Sequence, residues 1–190
     1  MGAPSLRLVG CITCAIWASV DLTLVIAGRR KTDVSEDRGS LGLLLIAVAG
    51  AVVIGSVTAH LGRLRLPGSS VDRALVGIGL MWAGMALRWW AVLTLGRFFS
   101  PLVRVREDHR VIRSGPYARI RHPAYAGSLL TLIGLGIALA NWAGLIGMVV
   151  VIFLGFRHRM AREEEALAAA LDQEYRDYMS QTKRLIPGVY

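Results

Sequence analysis

Five apolar runs, at roughly residues 6–27, 41–61, 74–95, 124–140 and 142–156, occupy more than half of the chain. Each is near the ~17–25 residues with which a helix crosses a bilayer. A chain patterned in this way is expected to be an all-α integral membrane protein with about five transmembrane helices. The mean hydropathy of +0.51 and the 54% hydrophobic content agree. At 190 residues there is room for one bundle, so residues 1–190 read as a single membrane domain, with the first three spans in 1–95.

Only Asn141 separates the last two runs, which predicts a tight antiparallel helical hairpin, and Trp142 beside that turn suits a membrane interface. The formal charge of +9 does not indicate a nucleic-acid partner, because the basic residues fall between the apolar runs, where topology signals belong. One side of a five-span arrangement collects seventeen Lys and Arg, from Arg29 to Arg184; the other has Arg7, Arg63, Arg65 and Arg73. The expected N-terminus is therefore outside and the C-terminus cytoplasmic. With 20 Arg against 2 Lys the composition suggests a GC-rich genome, hence a bacterial inner membrane.

Several features resemble functional motifs and are read as structural. Leu8-Val9-Gly10-Cys11 looks like a lipoprotein cleavage box, but its apolar run follows the box instead of preceding it, so an uncleaved first helix is expected. Cys11 and Cys14 have redox spacing inside an apolar helix and read as small packing residues, with no disulfide. Gly77-Ile78-Gly79 and Gly134-Leu135-Gly136 follow no soluble strand and should permit close helix packing. His60 reads as interfacial. Asp21 and Arg88 lie eight and nine positions before Arg29 and Arg97, at similar depth on parallel first and third helices. Either they pair, or Arg88 snorkels to the interface beside Trp89 and Trp90.

Two polar blocks remain. Gly115 to Gly127 runs straight into the fourth apolar run, and Arg162-Glu163-Glu164-Glu165 lies just past the fifth. Charges set against membrane helix ends are costly to bury and mark polar sites. Before the first block, alternation through Leu102-Val103-Arg104-Val105-Arg106 and a turn at Glu107-Asp108-His109 suggest a short cytoplasmic lid. Pro123 suits the first turn of a helix, which puts Arg121 and His122 at its N-terminal mouth, a place that favours anions. Met160, Glu164, Leu167, Leu171, Tyr175 and Tyr178 share one face of a helix continuing into the cytoplasm. Glu165 reads as solvated, whereas Glu163 and Glu164 could hold ribose hydroxyls or an ammonium group; periodicity alone leaves that role open.

The order of these elements resembles a known family. A Gly-Pro-Tyr-x-x-x-Arg-His-Pro-x-Tyr-x-Gly block at Gly115–Gly127, Asn141-Trp142, Glu163-Glu164, Glu174-x-Tyr-x-x-Tyr178 and Thr182-x-Arg-Leu-x-Pro187 is similar to the isoprenylcysteine carboxyl methyltransferase family, and more loosely to the phospholipid N-methyltransferases. The resemblance implies an S-adenosylmethionine-dependent methyltransferase without a Rossmann domain, and makes 96–190 the cofactor-binding catalytic half. It implies His122, Tyr125, Gly127, Glu163 and Glu164 as cofactor-binding, Tyr117 and Arg121 as lining residues, Arg184 on a substrate carboxylate and Tyr175 nearby. No metal is implied. Leu171-Asp172 departs from the Phe-Gly often found in the family.

A carboxylic acid of pKa about 4 is already ionised at neutral pH, so its methylation needs no general base. A lipid amine would have to lose a proton. No residue stands out as a dedicated base, which favours a lipidic or prenylated carboxylate that enters from membrane lipids; N-methylation of a lipid amine is the alternative. A non-catalytic subunit or transporter would leave the clustered motifs unexplained. No obligate protein partner is expected.

Overall fold

The computed structural model describes residues 3–29, 40–60, 64–100 and 110–190. They form five helices: α1 (Ala3–Arg29), α2 (Ser40–His60), α3 (Ser70–Leu95), α4 (Pro123–Ala138) and α5 (Trp142–Gln181). No strand occurs among the described residues; two isolated bridges, Arg65 with Asn141 and Ile120 with Lys183, are the extended pairings. The residues expected to form the lid, Leu102–His109, lie outside the described residues, as do most of the basic residues between the first two apolar runs.

Sequence chemistry accounts for the helix ends. Ser69 caps α3 by accepting from Asp72 N, and Asn141 caps α5 by accepting from Gly144 N. Asn141 also donates to Thr58 O at 2.9 Å, tying the α4–α5 turn to the end of α2. Pro123 starts α4, where its missing N–H removes nothing. Three residues, Leu139 to Asn141, join α4 to α5, with Ala140 at a positive φ of 62°.

Across the bundle α1 packs on α3, α3 on α4, α4 on α5, and α5 on α2. The α3–α4 contact is made through paired glycines. A Cβ on Gly77 would lie 2.6 Å from Gly134 O, and one on Gly84 would lie 2.5 Å from Gly127 O. These helices run antiparallel with backbones in contact, which small residues allow in a membrane. Asp21 and Arg88 do pair: Arg88 Nε donates to Asp21 Oδ1 at 2.8 Å, fastening α1 to α3. Arg88 Nη1 also donates to Ala124 O in the first turn of α4.

Large apolar side chains cover the outside: Leu43, Ile46 and Val53 on α2, Trp82, Trp90 and Leu93 on α3, and Ile146, Val150 and Leu154 on α5 are exposed. Two helices, α3 extended through Phe98 and α5, are long and apolar enough to cross a membrane. The buried cluster of Ala51, Leu132, Met148, Ile152, Phe156 and Met160 joins α2, α4 and α5. Beyond Phe156 the remainder of α5 turns polar and carries the second motif block.

Candidate active site

The first block folds as a one-turn 3-10 helix, Gly115–Ala118, followed by an extended stretch into α4. Gly115 sits at φ 58°, the conformation its turn requires. The C-terminal segment then pairs with the stretch: Arg121 N donates to Lys183 O at 2.8 Å and His122 N to Arg184 O at 3.0 Å. The hydroxyl of Tyr178 donates to Tyr117 O at 2.7 Å, so the last part of α5 holds the 3-10 turn against α4. These bonds bring two distant blocks of sequence together.

Glu164 is their meeting point. Its carboxylate, 4% exposed, accepts from Arg121 Nε at 2.8 Å, His122 Nε2 at 3.1 Å and Arg184 Nη2 at 2.6 Å. Burial alone would push its carboxyl up, but the bonds from His122, Arg184 and Arg121 outweigh that and bring it down to about 2. The same bond raises the Arg184 guanidinium above its usual range, so the pair stays charged. Arg121 Nη1 donates in addition to Met179 O and Thr182 O. Glu164 and Arg121 thus staple α5, the stretch before α4 and the C-terminal segment.

Glu163 is placed differently. It is 32% exposed, its Oε2 accepts from the Tyr125 hydroxyl at 3.0 Å and lies 4.0 Å from His122 Nδ1. Its Oε1 has no partner among the described residues. Tyr125 also stacks on Phe156 at 4.9 Å, with its ring centroid 5.6 Å from that of His122. Arg159, 3% exposed, donates from Nε to the same Tyr125 hydroxyl at 2.9 Å. That bond leaves the Tyr125 proton to point at Glu163. Arg159 was not among the residues expected from sequence; the signal was its place four residues before Glu163, one turn away on the same helix.

Of the other expected residues, Tyr117 and Tyr175 are buried beside this centre, at 6% and 4% exposure. Burial pushes both phenols up, and the Glu163 and Glu164 carboxylates push Tyr175 further, so both remain protonated donors at neutral pH. Arg184 Nη1 makes one bond, of 3.3 Å, to the Tyr190 hydroxyl. Gly127 is not brought into the cluster: its Cβ position faces Gly84 O at 2.6 Å and Arg88 N at 2.7 Å, in the α3–α4 contact. Among the described residues no group of three or more His, Cys, Asp or Glu could hold a metal ion.

The fold and this junction define an integral membrane protein whose polar centre is built where two helices of the bundle meet its polar end. Residues 77–169 match the model of the isoprenylcysteine carboxyl methyltransferase (ICMT) family. Protein-S-isoprenylcysteine O-methyltransferase B of Arabidopsis thaliana is 31% identical over 115 residues, which are 60% of this chain and 58% of that protein. The protein-S-isoprenylcysteine O-methyltransferase of Tribolium castaneum is 33% identical over 116 residues, 60% of this chain and 41% of that protein. A solved structure of the eukaryotic intramembrane Ras methyltransferase ICMT superposes with a TM-score of 0.70 at 22% identity, covering all of this chain and 70% of that one, and shows the shared fold. Over residues 77–169 this chain is similar to the isoprenylcysteine carboxyl methyltransferase family. The matched region is about three fifths or less of these curated relatives' length.

Proposed function

We propose that this chain is an S-adenosylmethionine-dependent methyltransferase that methylates the carboxylate of an isoprenyl thioether acid or another lipidic acid. The observation that carries the reading is the Glu163–Glu164 junction inside the family-matched segment: one carboxylate held by hydrogen bonds from Arg121, His122 and Arg184, and one whose Oε1 has no partner among the described residues. The donor set fits the cofactor, whose sulfonium and ammonium are cations and whose ribose carries hydroxyls. Glu163 Oε1 would accept from such groups, with Tyr117, His122 and Tyr125 around it. S-adenosylmethionine supplies, when bound, a methyl group on a positively charged sulfur.

The rest is the work of the chain. Arg121, His122 and Arg184 fix Glu164, so the wall that joins α5 to the C-terminal segment keeps its shape. Arg184 Nη1 faces the weakest of its bonds and would take the acceptor carboxylate in place of the Tyr190 hydroxyl. Tyr175 would line the acceptor's polar end. An ionised acid needs no base, and none is assigned. Exclusion of water by Tyr117, Tyr125 and Phe156 favours a reaction in which opposite charges neutralise each other.

In this reading the chain is one membrane domain that crosses the bilayer five times, with α4 and α5 as a hairpin, the N-terminus outside and the site on the cytoplasmic side. The support is the seventeen-to-four division of Lys and Arg. The acceptor reaches the site from the lipid, and the cofactor from water.

Calorimetry on detergent-purified protein tests the proposal, with Glu163→Gln and Glu164→Ala beside the wild type. The expected result is S-adenosylmethionine binding that Glu163→Gln weakens at least tenfold with its unfolding midpoint kept, and labelled methyl transfer to N-acetyl-S-farnesylcysteine. A folded wild type that binds no cofactor defeats the proposal; transfer only to a lipid amine replaces the acceptor class.

A further inference from the structure

Past α5 the segment from Leu185 to Tyr190 folds into one closed turn. Leu185 N and Ile186 N donate to Tyr190 O at 2.6 and 2.7 Å, and Val189 N and Tyr190 N donate back to Ile186 O at 3.1 and 3.2 Å, with Gly188 at φ 76°. The turn delivers a single side chain to the bundle. Ile186, Pro187, Gly188 and Val189 are all exposed, whereas the Tyr190 ring is partly buried against the cluster of Leu132, Ile152 and Phe156, which Tyr125 and Phe153 also cover. That ring lies 5.7 Å from the Phe153 ring, and Arg184 Cζ stands 5.9 Å from its centroid.

Tyr190 thus makes the two contacts that an apolar acid would make at this end of the site: carbon on an aromatic ring, and an oxygen that accepts from Arg184 Nη1 at 3.3 Å. The oxygen is a neutral phenol, and its bond is longer than those from Arg184 to Glu164. A carboxylate in its place would be charged, and a hydrogen bond between two ions is about twice as strong as a neutral one. The exchange would uncover little, because the turn around Tyr190 is already exposed. It would also leave Arg184 on Glu164, at 3.0 and 2.6 Å, so the cofactor end of the junction is undisturbed.

Resting on the methyltransferase reading above, we propose that Tyr190 is an autoinhibitory latch: its ring and phenol occupy the place of the acceptor acid on Phe153 and Arg184, and the acid binds by displacing them. A tethered occupant competes at an effective concentration that dilution does not lower, so the apparent affinity for the acid is reduced to the fraction of molecules in which the latch is open.

Calorimetry with N-acetyl-S-farnesylcysteine tests it on detergent-purified wild type, Tyr190→Phe and Tyr190→Ala, with S-adenosylmethionine binding and unfolding midpoints measured beside it. Tyr190→Ala is expected to bind the acid about fivefold more tightly than wild type, and Tyr190→Phe, which keeps the ring, about twofold more tightly. S-adenosylmethionine affinity should stay within about twofold in both. Tyr190→Ala decides, and if its midpoint shows it unfolded, Tyr190→Phe decides instead. Unchanged acid binding in the deciding variant overturns the latch. Weaker binding overturns it too, making Tyr190 part of the wall that holds the acid, and so does the absence of acid binding in all three proteins. Methyl transfer is followed separately: tighter acid binding with no transfer to the acid keeps the latch and defeats the methyltransferase reading alone.

Discussion

Asp172 interrupts α5 at φ 43° and ψ −120°, a backbone region that glycine enters freely and other residues enter at a cost. It is the second residue of Leu171-Asp172, where the family resemblance implies that Phe-Gly is often found. Asp172→Gly is expected to raise stability by about 1 kcal/mol, because the lost ion pair with Arg176 is exposed and contributes only a few tenths; a thermal unfolding midpoint in detergent measures it, and a lower midpoint would contradict the strain. Glu164 supplies a pH dependence. Its folded carboxyl is lowered to about 2 from 4.5, so its contribution is complete above about 4.5 and disappears as pH falls toward 2. The wild-type midpoint should fall through that window more steeply than that of Glu164→Gln, which lacks the titrating group and should start lower at pH 7. The helical stripe in the sequence located Glu164, but its partners Arg121 and Arg184 stand 43 and 20 residues away, so periodicity could not reveal that two guanidinium groups converge on it. Glu163, the neighbour whose Oε1 has no partner among the described residues, lies off that stripe, and the sequence assigned both carboxylates the same binding role.

At the scale of elements, the helices were legible because hydropathy and end chemistry agree: α2, α3 and α4 begin and end within a few residues of the apolar runs, and Asn141-Trp142 opens α5 as read. The pairing of Arg121 and His122 with Lys183 and Arg184 was not legible, since two residues of extended backbone carry no pattern. Gly77, Gly134 and Gly136 were legible as packing residues but not as pairs; Gly79, read the same way, meets nothing within 4 Å, and Gly84 and Gly127 were not read as packing residues. Gly84→Ala would drive a methyl into Gly127 O and Thr131 N at 2.5 and 2.6 Å, both on α4. A loss of about 1–3 kcal/mol is expected, with weaker binding of the proposed cofactor because His122 precedes α4 as its N-cap and Tyr125 lies in its first turn. Gly79→Ala, which meets nothing within 4 Å, should be neutral or gain up to about 1 kcal/mol from helix propensity. Equal effects of the two substitutions on unfolding would contradict the paired-glycine contact.

On the scale of the whole molecule, charge and backbone hydrogen bonds hold together parts that apolar packing alone would leave separate. The Asp21–Arg88 pair links α1 to α3, and Arg88 continues to Ala124 O at the start of α4. Asp21→Asn and Arg88→Gln should each destabilise, and the double variant should cost about 1 kcal/mol less than the two together. Additive losses in detergent unfolding would mean that the pair is not coupled. The glycine pairs carry one more consequence. Gly77 and Gly84 on one helix, and Gly127 and Gly134 on the other, both repeat every seven residues, a stagger of about 10 Å along the axis. A shorter slide would set side chains against bare backbone, so α3 and α4 behave as a fixed door jamb, and in the proposed reaction a lipidic acceptor would pass beside this pair of helices and not between them.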